Sequence, residues 1–392
     1  MALGFFPMSK GVEGADYRVT PSIRLGQGWD SNIFGTSGNE VSDFYASVIP
    51  ELIFDTASPN LSMQLRAGVE GRWYYDHPEV SSAGYTKYLR LISIDNGWRP
   101  TARFSVSPGV FYLETLDSVA RSFLVPVDPA VHPPGIATYG LQRSRYFGAS
   151  IGLLYQATPS VETTGMLYGV ESQYPDQPGR IYDTRTVGAD VSVRYAYSPT
   201  SLVGVYGNGS YEDFHETPTA RMFEAGLLAG HQFNPAFRID GRLGMSFVRQ
   251  PASAPGNPDL TDSTPSGTVT LGYLDNTFRA DLYGNYGYSG LSGAGEVTRQ
   301  GTVGISLADN VTQGWSWSLG GYYQVSHTVF AVTTVEVKTV NGRGSVRYAP
   351  WEWGAFDLTG YATRENSDVP GGDLNRYSIV LGFTVRKTYT AF

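Results

Sequence analysis

The stretch Phe237-Arg-Ile-Asp-Gly-Arg-Leu-Gly-Met-Ser-Phe247 alternates apolar and polar residues. Its apolar side chains fall on one face: Phe237, Ile239, Leu243, Met245 and Phe247. Its polar side chains fall on the other: Arg238, Asp240, Arg242 and Ser246. A period of two residues predicts a β-strand with one apolar and one polar face. Because the same pattern recurs from Tyr17 to Phe392, the chain is predicted to be all-β.

The number of these segments and their connectors distinguish a membrane barrel from a soluble sandwich. The pattern predicts about eighteen strands, an even number typical of bacterial barrels. Short connectors such as Ser198-Pro-Thr200 are rich in turn-forming residues and alternate with longer ones such as 117–142 and 250–264. Short turns at one end and long loops at the other are typical of outer-membrane barrels. We therefore predict a transmembrane antiparallel up-and-down β-barrel over residues 16–392, with both termini in the periplasm of a Gram-negative cell.

Composition supports a membrane barrel and argues against other classes. The chain of 392 residues has no cysteine, and only 16% of its residues are charged. A net charge of −8 argues against a nucleic-acid partner, which would need a basic surface. No apolar run is long enough for a transmembrane helix. Residues 1–15 carry a short apolar patch with no basic residue before it, and we interpret them as a remnant of a signal peptide in a processed or truncated chain.

The aromatic residues lie near the ends of the predicted strands. Trp29 and Trp73 are predicted at the outer ends, and the other tryptophans at the periplasmic ends: Trp98, Trp315, Trp317, Trp351 and Trp353. Indole rings prefer the membrane interface, so this placement predicts aromatic girdles. An alternating last strand followed by Phe392 is similar to the assembly signal of outer-membrane barrels.

A short motif near the start carries a family resemblance. The segments Gly28-Trp-Asp-Ser-Asn-Ile-Phe34 and Ser42-Asp-Phe-Tyr-Ala-Ser-Val-Ile-Pro-Glu-Leu52 resemble the opening of the β-barrel porin 2 family. The resemblance implies an outer-membrane conduit associated with exopolysaccharide secretion, but it does not supply a substrate. Within the motif, Asp30 and Asn32 are interpreted as loop-capping residues rather than ligand contacts.

The polar faces of so many strands should enclose a water-filled lumen. The charged residues assigned to this lumen are Arg66, Glu70, Arg72, Asp190, Arg194, Arg238, Asp240, Arg242, Arg279, Asp281, Asp357 and Arg376. Charges of both signs would bias which solutes pass. Equally, they would hold the wall together as cross-strand ion pairs. The tyrosines on the same faces either offer stacking surfaces for sugars or simply reflect how common tyrosine is in barrel strands: Tyr74, Tyr283, Tyr322 and Tyr361.

The longest predicted loop, 117–142, is unusually apolar for a connector. Its candidate constriction residues are Phe123, Leu124, Val125, Val127 and His132. Because exposed apolar segments tend to become buried, we predict that it folds into the barrel mouth. The alternative is that it packs on a neighbouring protomer or partner.

No enzyme motif, cofactor site or metal site is predicted, since the five histidines have no partners in a recognisable arrangement. Three functions remain open. The first is passage or export of polysaccharide or sugar together with periplasmic export proteins. The second is general diffusion of small solutes, and the third is a structural barrel that houses a partner protein. Expected partners are membrane lipid and lipopolysaccharide, with a monomer or homotrimer as the assembly.

Overall fold

The computed structural model describes residues 16–36, 38–116, 143–175, 183–214, 217–251, 259–289, 297–330, 335–368 and 373–391. Within these ranges no helix is long and apolar enough to cross a membrane. Helical structure in them consists of one 3₁₀ turn at Pro78–Val80. The strands are β1 (Asp16–Asp30), β2 (Asp43–Ser58), β3 (Leu61–Tyr74), β4 (Ser82–Thr101), β5 (Phe104–Thr115), β6 (Ser144–Thr158), β7 (Val161–Gln173), β8 (Thr184–Ser198), β9 (Ser201–Phe214), β10 (Thr217–Gln232), β11 (Phe237–Gln250), β12 (Leu260–Leu274), β13 (Phe278–Ser289), β14 (Thr298–Asp309), β15 (Trp315–Thr328), β16 (Glu336–Trp351), β17 (Gly354–Ser367), β18 (Leu374–Arg386) and β19 (Tyr389–Ala391).

The strands form one closed sheet. Each pairs antiparallel with the next along the chain up to β18, which returns to pair with β1, where Ser22 lies opposite Arg386. After a break at Lys387 and Thr388, β19 continues along β1, with Tyr389 opposite Val19. Because β18 and β19 form one interrupted strand, the barrel has eighteen strands. The predicted up-and-down barrel is confirmed, and residues Tyr389–Ala391 continue its last strand beyond Arg386.

Strand ends differ from the predicted ones where the strands rise above the apolar band. β12 begins at Leu260, inside the segment predicted as a loop, and its Thr261 and Asp262 pair with Arg249 and Val248. The residues there are mostly polar, so the sequence shows no apolar–polar alternation that would predict a strand. β10 likewise begins at Thr217, and a register shift before Ala220 accommodates Pro218 in the ladder. Two residues, 215 and 216, therefore separate β9 from β10.

The outer surface is apolar over the middle of the barrel. Leu243 of β11 is 75% exposed and Leu227 of β10 is 67% exposed, and the two lie directly opposite each other. Similar exposed side chains occur on the other strands: Leu25, Leu52, Leu167, Val205, Val303, Leu319 and Leu381. A surface this apolar is stable only against lipid. Since closure leaves no unpaired strand edge, the barrel meets the condition for crossing a bilayer.

The two ends of the barrel differ in their connections. We call the end with the two-residue links between β2 and β3 and between β8 and β9 the turn end, and the opposite end the loop end. Exposed aromatic rings gather at the turn end, where Trp351 stacks on Trp353 at 5.0 Å and Trp315 on Tyr348 at 4.4 Å. At the loop end, Trp73 is exposed. These positions form the predicted aromatic girdles.

The seam between the first and last strands contains a buried ion pair. Arg376 of β18 donates from Nε to Asp30 Oδ1 at 3.0 Å, and the Asp30 side chain is fully buried. Asn32 donates through Nδ2 to the carbonyls of Thr36 (2.8 Å) and Asn375 (3.1 Å). Its own backbone N–H donates to Asp30 Oδ1. The capping role predicted for Asp30 and Asn32 is confirmed, and Asn32 also ties the first loop to β18.

The orientation of β11 can be tested by cysteine labelling, because the chain has no native cysteine. We expect Arg242→Cys, in membranes, to react with a small water-soluble thiol reagent, since Arg242 faces inward and pairs with Asp190. Leu243→Cys should not react, because that side chain faces lipid. Mass spectrometry of the labelled protein measures both. The reverse pattern would show that the register is wrong.

The seam pair should contribute strongly to stability. Asp30→Ala leaves the Arg376 guanidinium buried without its carboxylate, so we expect the free energy of unfolding to fall by about 3–5 kcal/mol. Asp240→Ala is the matched control, since the Arg238–Asp240 pair is more than half exposed and should contribute about 0–1 kcal/mol. Urea unfolding in lipid vesicles compares the two. Equal losses would contradict a special role for the seam.

Candidate functional site

The charged residues predicted for the lumen all lie on the inner face. They alternate with outward-facing apolar side chains, as Arg242 does with the exposed Leu243. Contacts across several strands confirm the direction for some of them. Asp190 of β8 accepts from Arg242 of β11 at 3.3 Å, which requires both side chains to lie inside the curve of the wall. That these residues line a path for solutes stays a prediction.

The structure divides the predicted charges into separate groups. Near the turn end, Arg279 pairs with Asp281 of its own strand at 2.6 Å, and its side chain is largely exposed. Further along the wall, Arg242 lies 5.3 Å from the ring centre of Tyr206, which donates to Glu224 at 2.6 Å. Arg376 belongs to the buried seam. Some of the predicted lumen charges therefore form the cross-strand ion pairs expected from the sequence, such as Arg242 with Asp190.

A chamber of about 590 Å³ brings ten charged residues together. Its wall comes from β1 to β5 and from β16 to β18, and includes four residues predicted from the sequence: Arg66, Glu70, Arg72 and Asp357. Of the described residues that line it, seven are arginines and three are carboxylates. The chamber therefore carries an excess of four positive charges inside a chain whose net charge is −8.

Each carboxylate of the chamber has an arginine partner. Asp357 accepts from Arg24 Nε at 3.2 Å, and Glu70 accepts from Arg72 at 2.9 Å. Glu51 accepts from both Arg66 and the Tyr88 hydroxyl. Among the described residues, Arg90 and Arg347 have no carboxylate partner. Arg90 and Arg347 therefore carry part of the chamber's excess positive charge.

A cluster of apolar and aromatic residues lies on the loop-end side of the chamber. We call it the tyrosine cap, and it consists of Ile33, Tyr45, Tyr74, Tyr85 and Val380. The Arg72 guanidinium lies between two of its rings, 4.4 Å from the centre of Tyr45 and 4.1 Å from that of Tyr85. Cation–π contacts of this kind are strongest where water is excluded. Arg72, predicted as a lumen residue, is therefore nearly buried in the cap rather than facing open water.

The chamber contains residues that the sequence analysis did not select. Like the predicted charges, four further arginines face inward: Arg24, Arg90, Arg343 and Arg347. Their spacing in the sequence could have identified them as inward-facing. In β16, for example, the polar residues Arg343, Ser345 and Arg347 are two positions apart and so share one face. Alternation identifies the face of a residue but not the residues from distant strands that share its cavity.

Inner aromatic rings lie against glycines of neighbouring strands. The ring–glycine pairs are Tyr45 on Gly28, Tyr88 on Gly68, Phe111 on Gly148, Tyr168 on Gly188 and Tyr283 on Gly304. In each pair a Cβ on the glycine would come closer than 3.0 Å to the ring. The rings are therefore held along the wall, which keeps them out of the lumen. Three of these rings, those of Tyr45, Tyr88 and Phe111, line the chamber.

The described histidines form isolated pairs. His77 lies 3.2 Å from Asp43, and His327 lies 3.4 Å from Glu336. Ser201 Oγ and His231 Nδ1 are 2.7 Å apart as a cross-strand pair. Within the part of the chain that the structure describes, no group of three metal-binding side chains occurs. The predicted constriction residues Phe123, Leu124, Val125, Val127 and His132 lie outside the described residues.

Comparisons with known proteins give structural neighbours only. No protein-family model matches the chain, and no curated protein matches it in sequence. OccK1 (OpdK) of Pseudomonas aeruginosa aligns at 11% identity with a TM-score of 0.45, covering 95% of this chain and 99% of its own. OccAB3 of Acinetobacter baumannii aligns at 9% identity and 0.44, over 95% and 99%. OccK2 (OpdF) of Pseudomonas aeruginosa, in complex with glucuronate, aligns at 11% identity and 0.45, over 96% and 99%. At TM-scores below 0.5 we infer neither fold nor function from these neighbours.

The contact between Tyr88 and Gly68 provides a test of the chamber wall. Gly68→Ala should push the Tyr88 ring away from the wall and break its hydrogen bond to Glu51. We expect the free energy of unfolding to fall by about 1–3 kcal/mol. Gly287→Ala is the matched control, because its Cβ would meet Ser266 at an ordinary 3.6 Å and should change stability by about 0.5 kcal/mol or less. Urea unfolding measures both, and equal effects would contradict the packing described.

Proposed function

We propose that this protein is an outer-membrane pore for small solutes. The observation that carries the proposal is the contrast between the two faces of one closed sheet. The outer face exposes leucine, valine and aromatic side chains over its middle, whereas the inner face carries paired charges and an open chamber. A barrel of this strand number is wide enough to hold water. A charged interior inside an apolar exterior is the arrangement of a channel through a membrane.

The proposed orientation places the loop end outside the cell and the turn end in the periplasm. It rests on the length of the connections, since outer-membrane barrels have short periplasmic turns and longer external loops. β1 begins at Asp16 and β19 ends at Ala391, which lies opposite Tyr17. Both ends of the barrel sequence therefore lie at the turn end, on the periplasmic side in this orientation.

Small solutes suit the interior better than a polymer does. The chamber volume of about 590 Å³ is in the range of sites for single small molecules. The tyrosine cap packs against its loop-end side, whereas a polysaccharide in transit needs a continuous track. Polysaccharide export was suggested by the short motif at Asp30–Phe34, and the described contacts explain Asp30 and Asn32 as structural. Diffusion of small solutes is therefore our conclusion.

Reconstitution tests the proposal directly. We expect the purified protein to give discrete conductance steps in planar bilayers, and its proteoliposomes to swell in monosaccharide but not in dextran. Labelling Arg242→Cys with a bulky thiol reagent should lower the conductance, whereas the same treatment of Leu243→Cys should not. Absence of conductance in a folded barrel would contradict a pore and favour a barrel that houses a partner. Swelling in dextran would favour a polymer conduit.

A further inference from the structure

We propose that the chamber is a binding site for organic carboxylates, with Arg90 as the residue that receives the carboxylate. The site deepens the proposed pore function by naming its class of solute, and its binding can be measured without any conductance. Three observations carry the proposal: the pairing of the chamber's arginines, an unsatisfied nitrogen on Arg90, and the apolar surface beside it.

The register of β3 and β4 places two arginines face to face. Arg66 lies directly opposite Arg90, both on the inner face. Like charges in this position repel each other. Arg66 is balanced by Glu51, which also accepts the Tyr88 hydroxyl. Because Glu51 already serves two donors, Arg90 is the member of the pair whose charge has no counterpart among the described residues.

Arg90 also has an unused donor. Its Nε atom is buried and has no hydrogen-bond partner among the described residues. A buried donor without a partner is costly, and a guanidinium keeps its charge under all ordinary conditions. A carboxylate can accept two parallel N–H bonds from one guanidinium. Such a ligand would supply the negative charge that Arg90 lacks and reduce the repulsion from Arg66.

A second cation of the chamber has no carboxylate to itself. Arg347 lies opposite Asp357 in the register of β16 and β17, but Asp357 is bonded to Arg24 from β1. Arg347 lines the same cavity as Arg90. Both arginines therefore contribute to an anion-attracting field within a low-dielectric wall, where such a field is concentrated.

The surface beside Arg90 indicates what the rest of the ligand is like. Phe111 lies directly opposite Arg90 in the pairing of β4 and β5, and its ring lies on Gly148 at the wall of the chamber. Ile49 and Ile53 line the same cavity. A flat or apolar body fits against these side chains. The structure thus favours a small organic acid over a bare inorganic anion.

Binding of benzoate to the detergent-solubilised protein, measured by isothermal titration calorimetry, tests this proposal. Benzamide serves as the neutral probe of the same shape, and inorganic phosphate as the anion without a ring. We expect benzoate to bind at least roughly 10-fold more tightly than either, as one charge-assisted contact would provide. Equal affinity for benzamide, or for phosphate, would overturn the proposal.

Variants locate the site. Arg90→Gln should weaken benzoate binding by roughly 10-fold or more, and Arg90→Lys should restore part of it, because the charge returns without the paired donors. Arg194→Gln removes an inner cation that pairs with Glu162 outside the chamber, and should leave binding unchanged. Folding of each variant is checked by its heat-dependent migration in gels. Unchanged binding in folded Arg90→Gln would refute the assignment.

Conductance measurements separate this proposal from the pore itself. In a salt gradient across a planar bilayer, the reversal potential should show preference for anions, and Arg90→Gln should reduce that preference. Benzoate binding without conductance would support the site while refuting the pore. Conductance without benzoate binding would leave the pore standing and refute the site.

Discussion

The structure depends on one constraint: no backbone donor or acceptor can be left unpaired inside a bilayer. An antiparallel sheet meets it only by closing on itself. Closure joins β1 to β18, strands that are more than 340 residues apart in the chain. Both ladder pairing and side chains hold this joint. Asp30 and Arg376 form a buried ion pair across it, and Asn32 bonds to the backbone of Asn375 beside it.

Closure also places the two faces of each strand in different environments, an apolar one outside the barrel and a polar one inside it. The outward residues of β10 and β11 include Leu227, Leu243 and Phe247, while the inward ones include Glu224 and Arg242. Inside the chamber, each carboxylate is bonded to an arginine, which offsets the cost of burying its charge. Aromatic rings are accommodated differently, by lying against a glycine of the next strand. This arrangement accounts for part of the chain's high glycine content, since a Cβ at those positions would push the ring into the lumen.

The sequence predicts the strands well because membrane strands have a strict period. For β9 the predicted and observed ranges coincide at residues 201–214, and for β11 they differ by one residue at each end. The prediction fails where both faces of a strand are polar, because apolar and polar residues then do not alternate. The start of β12 at Leu260 is polar on both faces, because that part of the strand rises above the lipid. Alternation also shows that Arg66 and Arg90 face inward, but not that they lie opposite each other. That relation depends on register, and register depends on the bulges of β4, where Gly97 adopts a φ of +64°.

The same limit applies to the charges of the interior. A chain with a net charge of −8 gives no indication that it encloses a cationic chamber. The excess arises because three carboxylates and seven arginines from seven strands meet in one cavity after closure. Many of the remaining acidic residues lie elsewhere, at strand ends and along the opposite wall, where Asp190 and Glu224 have their own partners. In the proposed pore, solute selection would therefore depend on the local balance of charge within the cavity. The net charge of the chain and the list of inward residues do not determine it.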